Sequence, residues 1–65
     1  MDIQDSRREL LAIAGRLKVI AENLDALVYA NPTKETFEFM VETGKKAGLE
    51  ADFICNISQK LLDNY

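Results

Sequence analysis

The sequence predicts an all-α protein, with one long amphipathic helix followed by two shorter helices that pack as a helical-bundle homodimer. Three observations support this fold class. Apolar residues in the N-terminal half recur at spacings of three and four, the single proline stands at position 32, and no segment alternates in the manner of a strand. The 65 residues form one domain, because a chain of this length is too short for two.

The first predicted helix runs from about residue 3 to residue 29. Asp2 is a suitable N-cap, and Asn31 ends the helix because the residue before a proline avoids helical geometry. Inside this helix, apolar residues occupy the first and fourth places of a seven-residue repeat, as in a coiled coil. These places hold Ile3, Leu10, Ile13, Leu17, Ile20, Leu24 and Leu27, while Ser6 breaks the first repeat. The repeat indicates that one face of the helix packs against other helices.

The second predicted helix covers about residues 32–47, with Asn31 as its cap and Pro32 at its first position. We expect Gly48 to end it in a left-handed cap, and a third helix to span about residues 50–63. Cys55 is expected to be a small buried residue. The side chains predicted to face inward from these two helices are Phe37, Met40, Val41, Gly44, Ala47, Phe53, Ile54, Ile57 and Leu61.

The unequal helix lengths predict self-association. The first helix would be about 40 Å long and the others about 20 Å each, so both short helices would pack near its C-terminal half. A second copy would then cover the N-terminal half through a two-fold interface. A tetramer is the alternative, because leucine at the first place and isoleucine at the fourth favour four strands in parallel coils. The candidate interface residues are Leu10, Leu11, Ile13, Gly15, Val19 and Phe39, with Phe39 as the expected anchor.

The composition argues against an enzyme. The chain has no histidine to activate a hydroxyl or thiol nucleophile, and its single cysteine excludes an internal disulfide. Glu35, Glu38 and Glu42 share a helix face, but helical carboxylate metal sites pair such residues with Glu-x-x-His motifs. Lys45 and Lys46 follow at contact spacing, which is typical of an ion-paired surface. We therefore predict no catalytic residue, no cofactor and no bound metal.

One segment resembles the core of a helix-turn-helix of the phage-repressor type. Gly48 would lie in the turn, Leu49 after it, and Phe53-Ile54 with Ile57 on the next helix. The resemblance implies a DNA-binding regulator that uses residues 40–58. The positions that would face the major groove include Glu50 and other residues without positive charge, which does not favour binding to a polyanion.

The remaining predictions concern partners and location. No apolar run approaches the roughly 20 residues of a membrane span, and the formal charge of −3 gives no general attraction to nucleic acid. The unpaired cysteine and the acidic N-terminal sequence predict a cytoplasmic protein. The predicted function is a non-enzymatic protein-interaction module, a homodimeric regulator or adaptor of bacterial or phage type with an unidentified protein partner. A structural assembly subunit is a further alternative.

Overall fold

Two long helices form an antiparallel hairpin. The computed structural model describes residues 3–64, in which α1 spans Ile3–Val28 and α2 spans Lys34–Asp63. At 1.5 Å per residue α2 is about 45 Å long, which agrees with the longest extent of the molecule, 48 Å. The all-α prediction is confirmed, since residues 3–64 contain no strand. The predicted cap at Asp2 lies outside the described residues.

The predicted separate third helix is wrong. α2 continues without interruption from Lys34 to Asp63, so Gly48 lies inside a helix instead of ending one. None of the three glycines, all within the described residues, has the positive φ that a left-handed cap requires. An interior glycine costs a helix about 1 kcal/mol relative to alanine. Packing outweighs this local cost, because Ala47 and Glu50 continue the contact with α1 on both sides of the glycine.

The N-cap of α2 is Thr33, so the predicted cap at Asn31 is wrong. Thr33 has extended backbone angles, φ −112° and ψ 165°, and its hydroxyl oxygen accepts a hydrogen bond from the Thr36 N–H at 3.2 Å. The Asn31 carbonyl accepts bonds from the Thr33 N–H at 2.9 Å and the Thr36 hydroxyl at 2.7 Å. Because Thr33 must stay extended for its hydroxyl to reach Thr36, the helix begins after it, and Pro32 precedes the helix.

The two helices meet along a narrow seam, which consists of all described residues that are buried or half-buried. On both helices its members are three or four residues apart, with one gap of seven on α1 at the exposed Leu24. Only two apolar side chains of the seam, Ile13 and Ile57, are buried. The seam consists of Ser6, Leu10, Ile13, Leu17, Ile20 and Leu27 of α1, and Thr36, Met40, Thr43, Ala47, Glu50, Ile54, Ile57 and Leu61 of α2.

α2 covers both halves of α1, which corrects the prediction that the N-terminal half of the first helix lacks a cover. Ile13 of α1 and Ile57 of α2 line the same hollow, and Ser6, near the start of α1, is fully buried. The prediction assumed that the chain reverses at Gly48. Without that reversal the second helix is long enough to reach the beginning of the first.

Candidate protein-interaction surface

An ion pair joins the middle of the two helices. Arg16 Nε donates a hydrogen bond to Glu50 Oε1 at 2.7 Å. The Glu50 side chain is 9% exposed and that of Arg16 is 52% exposed, so the guanidinium remains in contact with water while the carboxylate lies in the seam. The hydrogen bond to Glu50 raises the pKa of Arg16 above its ordinary value. The pair fixes which residues of the two helices lie at the same level.

The Glu50 carboxylate is only half satisfied. Its second oxygen, Oε2, is buried and has no hydrogen-bond partner among the described residues. A buried acceptor without a partner destabilises the folded state, whereas an apolar side chain of similar size would not. Glu50 therefore lies in the seam at a cost in stability.

One side of the hairpin is a shallow groove of mixed character, called the mixed groove below. Its residues on α2 directly precede seam residues in the sequence. Phe39 is 62% exposed in this groove, Val19 and Leu49 are each 55% exposed, and Lys46 lines both hollows to which these residues belong. The mixed groove is lined by Glu9, Ala12, Gly15, Arg16, Val19, Asn23 and Ala26 of α1, by Ala30 of the connection, and by Phe39, Glu42, Lys46, Leu49, Phe53, Asn56 and Lys60 of α2.

The opposite side of α2 carries a continuous strip of exposed residues without charge, called the uncharged strip below. Each member directly follows a seam residue, which places it about 100° around the helix from the seam. The members are alternately four and three residues apart, the spacing with which a helix packs along a neighbour. The uncharged strip consists of Phe37, Val41, Gly44, Gly48, Ala51, Cys55, Ser58 and Leu62, all of them exposed.

The flank of α1 next to the uncharged strip is also partly apolar. Residues that directly follow seam residues of α1 lie on this side, because the mixed groove is lined by those that precede them. The apolar ones are Leu11, Ala14, Ala21 and Val28, and all four are exposed. Arg7, Lys18 and Asp25 accompany them. We call this whole side of the hairpin, the α1 flank together with the uncharged strip, the strip face.

Gly44 and Gly48 have no role within the hairpin that requires glycine. Apart from the adjacent residues and the nearby backbone of α2 itself, a Cβ atom added at either position would meet no atom within 4 Å, and neither residue has a positive φ. Each lowers the stability of α2 by about 1 kcal/mol relative to alanine. The surface over these two residues is therefore open to the close approach of another helix.

The structure distributes the six predicted interface residues over three surfaces. Leu10 and Ile13 lie in the seam, where they contact the chain's own second helix. Leu11 lies on the strip face and is 73% exposed. The remaining residues, Gly15, Val19 and Phe39, line the mixed groove. Adjacent positions thus differ in burial, since Leu10 is half-buried in the seam and Leu11 is exposed.

Several side chains predicted to face inward are exposed. Phe37 and Val41 are 54% and 58% exposed, Phe53 lines the mixed groove, and Cys55 is exposed instead of buried. The reason is the continuity of α2. A single unbroken helix can turn only one stripe toward α1, and Met40 with Ile54 belongs to that stripe.

The segment with the helix-turn-helix resemblance lies wholly inside α2. Residues 40–58 contain no turn, so the second helix of such a motif is not separated from the first. The glutamates considered as metal ligands, Glu35, Glu38 and Glu42, line one shallow hollow on α2, but no group of three potential ligands among residues 3–64 is arranged to hold a metal ion. Glu38 and Glu42 instead form exposed ion pairs with Lys34 and Lys45, at 3.8 and 3.4 Å.

Neither the hydropathy of the helices nor a comparison with known proteins assigns a function to these surfaces. Over the described residues neither helix is long and apolar enough to cross a membrane. The chain matches no protein-family model, no characterised protein and no solved structure at a significant level.

Proposed function

We propose that this chain is a protein-interaction module that acts as a homodimer and serves as a regulator or adaptor for a further protein. The observation that carries the proposal is the balance of apolar burial. Among the described residues only Ile13 and Ile57 are buried apolar side chains, while twelve large apolar side chains are exposed, from 41% for Phe53 to 83% for Tyr29. A hairpin with so small a core gains its stability by covering that surface.

The total surface area supports the same proposal. The hairpin exposes 5283 Å², whereas a compact monomer of its mass exposes about 4,200 Å². Its radius of gyration is 15.1 Å, against about 10.7 Å for a compact chain of 65 residues. The excess of about 1,100 Å² exceeds the roughly 800 Å² that each partner buries in a standard interface.

A second copy is the simplest partner for a hairpin of this shape. Two antiparallel hairpins that pack side by side form a four-helix bundle, in which each helix has two neighbours. Two-fold dimers are also the commonest soluble oligomers. The bundle geometry and the frequency of two-fold dimers both favour a second copy here, because this chain exposes apolar residues along nearly its whole length.

The proposal is tested by the mass of the protein in solution. Sedimentation equilibrium over a wide range of protein concentration should give twice the mass of the chain, with dissociation on dilution accompanied by loss of helical circular dichroism. A well-folded monomer at all concentrations would contradict the proposal. A mass of many subunits would favour a structural assembly subunit instead.

A further inference from the structure

We infer that the strip face is the homodimer interface, and that its occupant is the strip face of a second copy of this chain. The inference rests on the proposed homodimer and names the surface that forms it. Its centre is the uncharged strip of α2. The two sides of α2 differ in charge, and we choose the strip face over the mixed groove because of this difference.

Charge distinguishes the two flanks of α2. From Phe37 to Leu62, the eight residues of the uncharged strip include no charged side chain, and Ser58 is the only polar one. The corresponding residues in the mixed groove include Glu42, Lys46 and Lys60. Charged side chains are depleted from the buried centre of protein interfaces, so the uncharged strip is the better candidate for complete burial.

The size of the strip face fits a dimer. The 25 steps along α2 from Phe37 to Leu62 correspond to about 38 Å, and two adjacent helices are together about 20 Å wide. The product, about 760 Å², is close to the roughly 800 Å² per partner of a standard interface.

The shape of the strip face also suits a neighbouring helix. Bulky side chains stand near its two ends, with Phe37 and Val41 toward one end and Leu62 toward the other, while Gly44 and Gly48 lie between them. A helix that packs across the centre can approach the backbone of α2 closely at the glycines. Because no atom beyond the adjacent residues and the nearby backbone of α2 lies within 4 Å of a Cβ at either position, a helix of the second copy can pack against the backbone at these glycines.

A second copy is favoured over a foreign helix because an uncharged surface is compatible with itself. A two-fold interface brings the same patch of both subunits together, so any charge near the axis would face an identical charge. The uncharged strip contains none. The charged residues of the strip face, Arg7, Lys18 and Asp25, belong to the α1 flank and not to the strip.

The test compares two valines of matched exposure on opposite sides of the hairpin. Val41 lies in the uncharged strip and Val19 in the mixed groove, with exposures of 58% and 55% in the single hairpin. Val41→Glu should raise the Kd of the dimer on the order of a hundredfold, because the dimer would bury an unpaired charge. Val19→Glu should leave the Kd within about threefold of the wild type, since its carboxylate stays in water.

The thiol of Cys55 provides a second measurement on the unaltered protein. Cys55 is exposed in the single hairpin and belongs to the uncharged strip. Its rate of reaction with a disulfide reagent should fall as the protein concentration rises through the Kd of the dimer. In the folded Val41→Glu variant the fall in rate should require roughly a hundredfold higher protein concentration, in line with its higher Kd.

The outcomes separate this inference from the proposed homodimer. A dimer that Val19→Glu dissociates and Val41→Glu does not would place the interface in the mixed groove and overturn the inference alone. A dimer whose Cys55 reacts equally fast at all concentrations would overturn it as well, even if the Val41 variant failed to fold. A monomeric wild type would remove both the inference and the proposed homodimer.

Discussion

Replacement of Glu50 by leucine should stabilise the protein, because the carboxylate lies in the seam with one oxygen unsatisfied. Glu50 is 7% exposed, so a leucine would bury nearly its whole side chain, a gain of about 1.5–3 kcal/mol over an exposed leucine. Removal of the buried, partnerless Oε2 relieves a further cost of about 1–3 kcal/mol.

The lost bond to Arg16 offsets part of this gain. Arg16 is 52% exposed, so water screens its attraction to Glu50, and it can be hydrated when the carboxylate is absent. Imperfect fit of leucine between the helices offsets another part. We expect a net stabilisation of about 2 kcal/mol, within the range seen when buried ion pairs are replaced by apolar residues.

The measurement is urea unfolding followed by circular dichroism, at one protein concentration because oligomers gain stability with concentration. A stabilisation of about 2 kcal/mol corresponds to a rise in Tm of about 8–16 °C for a domain of this size. Arg16→Ala is the opposing control and should lower the stability, since it leaves Glu50 buried without a partner. A Glu50→Leu protein that unfolds at lower urea than the wild type would show that the ion pair is net stabilising and refute the reasoning.

Three further substitutions test the core, a buried hydroxyl and the helix cap. Ile13→Ala should lower the free energy of unfolding by about 2–4 kcal/mol, because Ile13 is 2% exposed. Glu22→Ala, at an exposed position outside the seam, the mixed groove and the strip face, is its control, and equal effects of the two would contradict the seam. Ser6→Ala should raise the free energy of unfolding by about 1 kcal/mol, since the buried Ser6 hydroxyl has no hydrogen-bond partner. A loss of stability in urea unfolding would show that this hydroxyl does form a hydrogen bond. Thr33→Ala should lower the Tm through the loss of about 1 kcal/mol of capping, and an unchanged thermal melt would refute the cap assigned from the Thr36 hydrogen bond.

Local chemistry determined the helical class and the position of the connection. The sequence up to Val28 contains no proline and has apolar residues at helical spacing, so that segment favours a helix whatever its neighbours are. Pro32 restricts the backbone of Asn31 and lacks an N–H group, which separates the two helices without reference to the rest of the molecule. The cap was misplaced by two residues because Asn31 and Thr33 are both suitable capping residues, and only the hydrogen bonds of the folded chain distinguish them.

The number of helices depended on packing and not on local preference. Gly48 can end a helix or lie within one, and the difference of about 1 kcal/mol is small enough for tertiary contacts to decide. In this chain Ala47, Glu50 and Ile54 keep the seam with α1 continuous across the glycine. The same continuity decided which residues are exposed, because it turned Met40 toward α1 and left Val41 on the surface.

The candidate interface shows the same division. The first helix carries extra apolar residues beside its repeat, such as Leu11 and Val19. From these residues one could anticipate that the chain exposes more apolar surface than one hairpin covers. Which side holds an uncharged surface could not, because that depends on the antiparallel register of two helices that are far apart in the sequence. The register is visible only once Arg16 and Glu50, 34 positions apart, lie within hydrogen-bond distance.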